Sequence, residues 1–253
     1  MPQFYLPGPW ESQKPTTLTT EVAHHLRVRR IQVGESFPVF DGKGQVAQAE
    51  LLLLSGKTGQ VQLSNIHINT HRETAYAISL VQGLAGGDKM DWIIEKAVET
   101  GAQIIAPIQC ERSILKLTRP SDQERAQKRL AHWEAIVQAA CEQCDRTVFT
   151  TLTPIQTFEA HLKANLKPSL KLLLSPDATK SMYSVLMENA PQDIVLMIGP
   201  EGGHSPEEEA QAEAAGYQIV SLGERVLRTE TAGTVAITAV HSIWNPEMQN
   251  RLK

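Results

Sequence analysis

Two hydrophobic rhythms divide the chain. Up to residue 73 the apolar positions fall into short runs that predict strands over 36–40, 45–54 and 61–68. Asp41-Gly42-Lys43-Gly44 and Ser55-Gly56-Lys57-Thr58-Gly59 separate these runs as turns, and Asp-Gly is a strong hairpin signal. Residues 1–73 therefore read as a small, mostly antiparallel β-module. From 74 to 253 the rhythm changes. Short apolar runs at 76–81, 104–109, 170–174, 194–198 and 217–222 read as buried parallel strands. Between them lie helical stretches at 90–100, 120–143 and 229–244. Another helix opens on the capping box Ser205-Pro206-Glu207-Glu208 and closes at Gly216. Strand–helix alternation of this kind predicts an α/β domain with a parallel sheet, and no internal repeat interrupts it.

Composition changes this picture little. An apolar share of 42% over 253 residues is enough for a core without covalent staples. No run approaches the roughly 20 apolar residues of a membrane span. The opening ten residues lack the basic start and apolar centre of a secretory leader, so a cytoplasmic location is expected. Three cysteines, Cys110, Cys141 and Cys144, are too few and too uneven for a disulfide framework. Cys141 and Cys144 form a C-x-x-C, but no second ligand pair stands at zinc spacing. Helix-end thiols, and no metal, are expected. Charge is more informative when divided. Residues 1–73 carry 7 Lys/Arg against 6 Asp/Glu, whereas the remainder carries 17 against 22. A general basic coat is excluded, but local basic faces are not. One is Arg27, Arg29 and Arg30. Another runs through Arg112, Lys116, Arg119, Arg125, Lys128 and Arg129, where i,i+4 charge pairing on a solvated helix explains the residues equally well.

Ligands of open parallel sheets bind beyond the carboxyl ends of the strands. Three such ends stand out: Leu174-Ser175-Pro176-Asp177, Ile198-Gly199-Pro200-Glu201-Gly202-Gly203, and the segment from Leu222 and Gly223 through Val226 and Leu227 to Arg228. Three glycines in five residues allow close backbone approach to a ligand, or simply a tight strand-to-helix turn. Neither nucleotide-phosphate fingerprint is present. Gly83-Leu-Ala-Gly-Gly-Asp-Lys89 imitates a P-loop, but Met90 replaces the hydroxyl that would hold magnesium. A ligand of low negative charge fits better. Thr229 or a neighbour is positioned to cap the last helix, and Glu230 falls in its first turn, where the helix dipole favours a carboxylate.

These motifs resemble the SPOUT methyltransferases, in particular the bacterial 16S ribosomal RNA uracil-N3 branch. The resemblance is carried by Ile-Gly-Pro-Glu-Gly-Gly at 198–203, Ser-Pro-Glu-Glu-Glu at 205–209 and Leu-Gly-Glu-Arg-Val-Leu-Arg-Thr-Glu-Thr-Ala at 222–232. It extends along nearly the whole chain. His24 to Arg30 with Gly34 and Asp41-Gly42 is similar to the family's PUA-like module. Gly87 to Lys96, Glu111-Arg112-Ser113 and Gln143-Cys144-Asp145-Arg146 are similar to later elements. Gly86 stands where the family usually has lysine, and Arg29 where it has an apolar residue.

The resemblance implies a PUA-like β-barrel over 1–73 and a SPOUT domain with a C-terminal deep trefoil knot over 74–253. It implies S-adenosylmethionine as cofactor, held by Leu174, Ser175, Pro176, Ile198, Gly199, Glu201, Gly202, Gly203, Leu222, Gly223, Val226, Leu227 and Thr231. It further implies a homodimer acting on the small ribosomal subunit, with RNA contacts at Lys89, Arg112 and Arg146 beside Arg27, Arg29 and Arg30. Uracil N3 holds its proton with a pKa of roughly 9–10, near that of tyrosine, so catalysis requires help in removing it. Arg228 is the candidate for stabilising charge on the uracil oxygens, and Glu230 for accepting the proton. Methylation of a transfer RNA ribose 2′-OH by a SPOUT enzyme, and a non-catalytic RNA-binding module, remain as alternatives.

Overall fold

A computed structural model describes residues 3–11, 14–117, 119–164 and 170–245. Met1 and Pro2, which open the segment read as lacking a leader, lie outside the described residues. The chain forms two compact units, Met1–Glu73 with Gln138–Phe149, and Thr74–Val137 with Thr150–Lys253. The first unit thus includes a segment, 138–149, that follows well after residue 73 in sequence.

In the first unit β1 (Phe4–Tyr5), β2 (Thr16–Thr17), α1 (Thr20–Val28), β3 (Ser36–Phe40), β4 (Gln45–Ser55) and β5 (Thr58–Ile68) follow in order. The strands form one sheet in the order β1-β3-β4-β5-β2, antiparallel except for β1 beside β3. Alternate residues of β3, β4 and β5 point into a core built around Phe37, Val39, Ala49, Leu51, Val61 and Leu63. Helix α1 joins that core through Val22, Ala23 and Leu26 on one face, and the Thr19 hydroxyl caps it by accepting from Val22 N. This helix was not expected in an all-strand module. The segment 138–149 is fastened by Gln3 Nε2, which donates to Arg146 O at 2.7 Å. The Phe149 ring also meets Phe40 edge-on, with centroids 5.5 Å apart. Gly42 of the Asp-Gly turn is required twice over: its φ is +76°, and an added Cβ would fall 2.5 Å from the Phe149 ring.

The second unit contains β6 (Ile78–Gly83), α2 (Lys89–Glu99), β7 (Ile104–Gln109), the first part of α3 (Gln123–Cys144), β8 (Thr151–Leu152), β9 (Gln156–Thr157), α4 (Phe158–Lys163), β10 (Leu170–Leu174), α5 (Met182–Glu188), β11 (Ile194–Ile198), α6 (Pro206–Ala214), β12 (Gln218–Val220) and α7 (Thr229–Trp244). Its seven strands are all parallel, in the order β12-β10-β11-β6-β7-β8, with β9 also pairing with β7. Every residue of β11 is buried, as a continuous apolar run requires when helices cover both faces. Helix α7 packs on β6, β11, α2 and α5, and Gly233 lets its backbone approach Leu80. The decisive feature is the adjacency of β12, β10 and β11, which brings their three carboxyl ends to one place.

Candidate active site

The turns after β10, β11 and β12 surround a cavity of about 560 Å³, within the range of small-molecule sites. Twelve of the thirteen residues expected to contact a cofactor line it: Leu174, Ser175, Pro176, Ile198, Gly199, Glu201, Gly202, Gly203, Leu222, Gly223, Val226 and Leu227. Thr231 does not. It lies within the first turn of α7, its N–H donating to Arg228 O at 2.9 Å. Arg228 and Glu230 both reach the cavity, so the two proposed catalytic groups share one space with the glycine turn.

The geometry of the glycine turn explains its composition. Gly203 has φ +68°, and a Cβ on Gly199 would sit 3.0 Å from the Gly203 backbone. Thr229 holds this turn in place. Its hydroxyl donates to Gly199 O at 2.6 Å and accepts from Gln82 Nε2 at 2.9 Å. Thr229 therefore does not cap α7: Arg228 occupies the N-cap position, and no side chain caps the helix. Downstream, the expected capping box is complete, with Ser205 Oγ accepting from Glu208 N and Glu208 Oε2 accepting from Ser205 N at 3.0 Å.

Lys89 and Arg112, expected to contact RNA, instead have partners inside the site. Lys89 Nζ lies 2.7 Å from Glu201 Oε1, which also accepts from Gly86 N at 2.9 Å. Burial raises the Glu201 pKa, but these hydrogen bonds outweigh it and hold the carboxyl below its usual range. Arg112 Nη1 donates to Gly202 O and His204 O, both at 3.0 Å. Its guanidinium thus clips the glycine turn from outside.

Arg146 has an intramolecular partner of its own. Its side chain is 4% exposed, and it forms a two-pronged pair with Glu73, Nε to Oε1 at 3.0 Å and Nη2 to Oε2 at 2.7 Å. Its guanidinium fork is thus committed to Glu73 within the first unit. Arg27, Arg29 and Arg30 are exposed and take part in no ion pair among the described residues, although Arg29 lies over the Phe4 ring. In the 112–129 cluster, Arg125 pairs with Asp122 and Lys128 with Glu124, the local pairing of a solvated helix. Cys141 and Cys144 sit in the last turn of α3 without a disulfide, as helix-end thiols should.

Sequence reasoning gave no site role to Asp177, Pro200, Glu209 and Arg225, which lie inside its own motifs, or to His204, which lies between two of them, although all five line the cavity. The cavity presents four carboxylates, of Asp177, Glu201, Glu209 and Glu230, and four cationic side chains, of Lys89, Arg112, Arg225 and Arg228. That balance suits a zwitterionic ligand better than a polyphosphate.

Comparison with known proteins agrees with this geometry. An RNA methyltransferase domain family matches residues 72–241, and an RNA methyltransferase PUA domain family matches residues 18–64. The chain belongs to this RNA methyltransferase family. One of its relatives is the ribosomal RNA small subunit methyltransferase E of Synechocystis. It is 35% identical over 231 residues, covering 90% of this chain and 73% of the relative. The Bacillus subtilis protein of the same name is 29% identical over 88% of each chain. The crystal structure of the Neisseria gonorrhoeae member, bound to S-adenosyl methionine, superposes with a TM-score of 0.87 at 36% identity, covering 96% of this chain and 98% of that one. Within the family fold, the parallel sheet and the module carrying α1 are therefore shared features. No helix among the described residues is long and apolar enough to cross a membrane.

Proposed function

We propose that this chain transfers a methyl group from S-adenosylmethionine to N3 of one uridine in the 16S ribosomal RNA of the small subunit. The observation that carries the reading is the cavity at the ends of β10, β11 and β12, where the glycine turn, Arg228 and Glu230 converge. Its residues fit the cofactor. Two glycines permit close backbone approach, the charges balance, and one buried carboxylate oxygen, Glu230 Oε2, has no hydrogen-bond partner among the described residues. The full relatives' name and the Neisseria complex support the same substrate and cofactor classes.

When bound, S-adenosylmethionine supplies an electrophilic methyl group on a sulfonium. Leu174, Ser175 and Pro176, the glycine turn with Glu201, and Leu222, Gly223, Val226 and Leu227 line the cavity and would hold it. Glu201, already occupied by Lys89 and Gly86, serves mainly to shape the turn. Glu230, which lines the cavity in the first turn of α7, accepts the N3 proton. Arg228 is 83% exposed at its side chain and lies 3.9 Å from Glu230, so it is free to meet an incoming base. There it stabilises charge on O2 or O4, a contribution of about 3 kcal/mol per well-placed donor. N3 lies on the pairing edge, so the target uridine is unpaired or swung out. Arg27, Arg29 and Arg30 supply phosphate contacts. A trefoil knot through the two glycine-bearing turns, a homodimer and a cytoplasmic location complete the reading.

Small subunits from cells lacking this methylation, incubated with the protein and labelled cofactor, test it directly. The account expects N3-methyluridine at a single 16S position after nuclease digestion. Label on ribose 2′-oxygens, label in transfer RNA, or no transfer would overturn it.

A further inference from the structure

Behind the glycine turn lies a cluster that the methyl-transfer reading does not use. Cys110 follows β7, His204 ends the turn after β11, and Glu208 stands in the first turn of α6. All three residues are buried, and one ligand atom from each lies within 4.8 Å of the others. His204 Nδ1 is 3.9 Å from Cys110 Sγ and 3.6 Å from Glu208 Oε2.

The imidazole is the anomaly. Its side chain is 1% exposed, yet the contacts Nδ1 makes with the thiol and the carboxylate are both long for hydrogen bonds. Buried polar groups are normally satisfied, and one that is not calls for a specific cause such as a bound ion. The surrounding chemistry points the same way. The Glu208 carboxylate is already oriented by two backbone donors, Glu111 N and Ser205 N.

We propose that Cys110 Sγ, His204 Nδ1 and Glu208 Oε2 form a binding site for a thiophilic divalent cation of the zinc class. Tetrahedral zinc with bonds of about 2.0–2.3 Å separates its ligand atoms by roughly 3.4–3.6 Å. The two distances from Nδ1 therefore need to close by no more than a few tenths of an ångström, and the third pair, which lies within 4.8 Å, by up to about 1.3 Å. Thiolate, imidazole and carboxylate together are a borderline-soft set, which selects zinc over magnesium or calcium. On binding, the S–H bond of Cys110 breaks, a sulfur–metal bond forms, and the proton leaves to water. Outer contacts that fix a ligating carboxylate are already present: Glu208 Oε1 accepts from Glu111 N at 2.8 Å and Oε2 from Ser205 N at 3.0 Å. An ion here would tie β7 to the turn that lines the cavity, independently of any methyl donor. The expectation of no metal came from the spacing of Cys141 and Cys144, and these three ligands are too scattered in sequence to show a spacing.

The test uses the full chain, stripped with chelator and dialysed against zinc or cobalt(II). The site predicts about one equivalent of tightly held zinc, a thiolate-to-cobalt absorption band with the visible bands of a tetrahedral centre, and a zinc-dependent rise in Tm. Cys110→Ser and His204→Gln should each abolish the band and the Tm rise, and Cys144→Ser should keep both. If Cys110→Ser does not fold, His204→Gln gives the same reading alone. No retained metal in the unaltered chain, or an unchanged band in His204→Gln, would overturn the proposal. Neither readout depends on methyl transfer, so the two functional readings fail separately.

Discussion

Replacing Thr229 by valine isolates the device that holds the glycine turn. The two side chains have nearly the same shape, so the substitution opens no cavity and keeps the β-branch in the first turn of α7. What disappears is a hydroxyl that donates to Gly199 O at 2.6 Å and accepts from Gln82 Nε2 at 2.9 Å. Gln82 Nε2 keeps Gly83 O at 3.0 Å, but Gly199 O is left with only a 3.5 Å contact from Gln82. Leaving one buried carbonyl so poorly satisfied costs roughly 1–3 kcal/mol, and about 2 kcal/mol is the central expectation. In a unit of this size each kilocalorie lowers Tm by about 2–4 °C, so a drop of about 4–8 °C should be seen. Urea denaturation reads the stability, and calorimetric titration with S-adenosylmethionine reads the turn, where about tenfold weaker binding is expected. A loss below about 0.5 kcal/mol together with unchanged cofactor affinity would refute the claim that Thr229 positions Gly199.

Four further outcomes follow from the same contacts. Arg228→Ala should lower turnover by about two orders of magnitude while leaving cofactor affinity within about twofold, read by steady-state kinetics beside calorimetry. Arg112→Ala should weaken cofactor binding more than RNA binding, because its two 3.0 Å hydrogen bonds hold the glycine turn. A selective fall in RNA affinity would contradict that. Arg146→Met strands the partly buried Glu73 carboxylate and should cost about 3 kcal/mol in urea unfolding. RNA affinity of the folded fraction should not change. His161 is buried 3.0 Å from Tyr217 Oη, and burial, with help from Lys171, lowers its pKa. The unfolded chain therefore takes up the proton first, so this contribution is complete above about pH 6.5 and is lost as pH falls through that value, by up to about 1.4 kcal/mol per unit. His161→Gln should flatten that acid limb in urea titrations across pH 5–7.5, and an unaltered limb would assign it to other groups.

Elements whose cause is local were legible in the sequence. The buried run of β11, the Ser205 capping box and the Asp-Gly turn at Gly42 each depend on neighbours a few residues away. The three strand-end turns were legible for the same reason, since glycine and proline mark them directly. Helix α1 was obscured because its nine residues carry only Val22, Ala23 and Leu26 as a buried face, beneath a conspicuous basic cluster. Side chains whose partners are distant were not legible. Arg146 looked like an RNA contact because nothing within a few positions shows that Glu73 waits for it. Thr229 looked like a cap because its true acceptor is thirty residues away. The Cys110, His204 and Glu208 cluster was invisible for the same reason: Cys110 is 94 residues from His204, and only the parallel sheet brings them together.

A crystal structure of this chain grown with S-adenosylmethionine tests the central claim most directly. The account predicts the donor between the glycine turn at 199–203 and the 222–227 segment, with its methyl group facing the side where Arg228 and Glu230 emerge. Density for the donor anywhere else on the chain, with that cleft left vacant at saturating concentration, would contradict it.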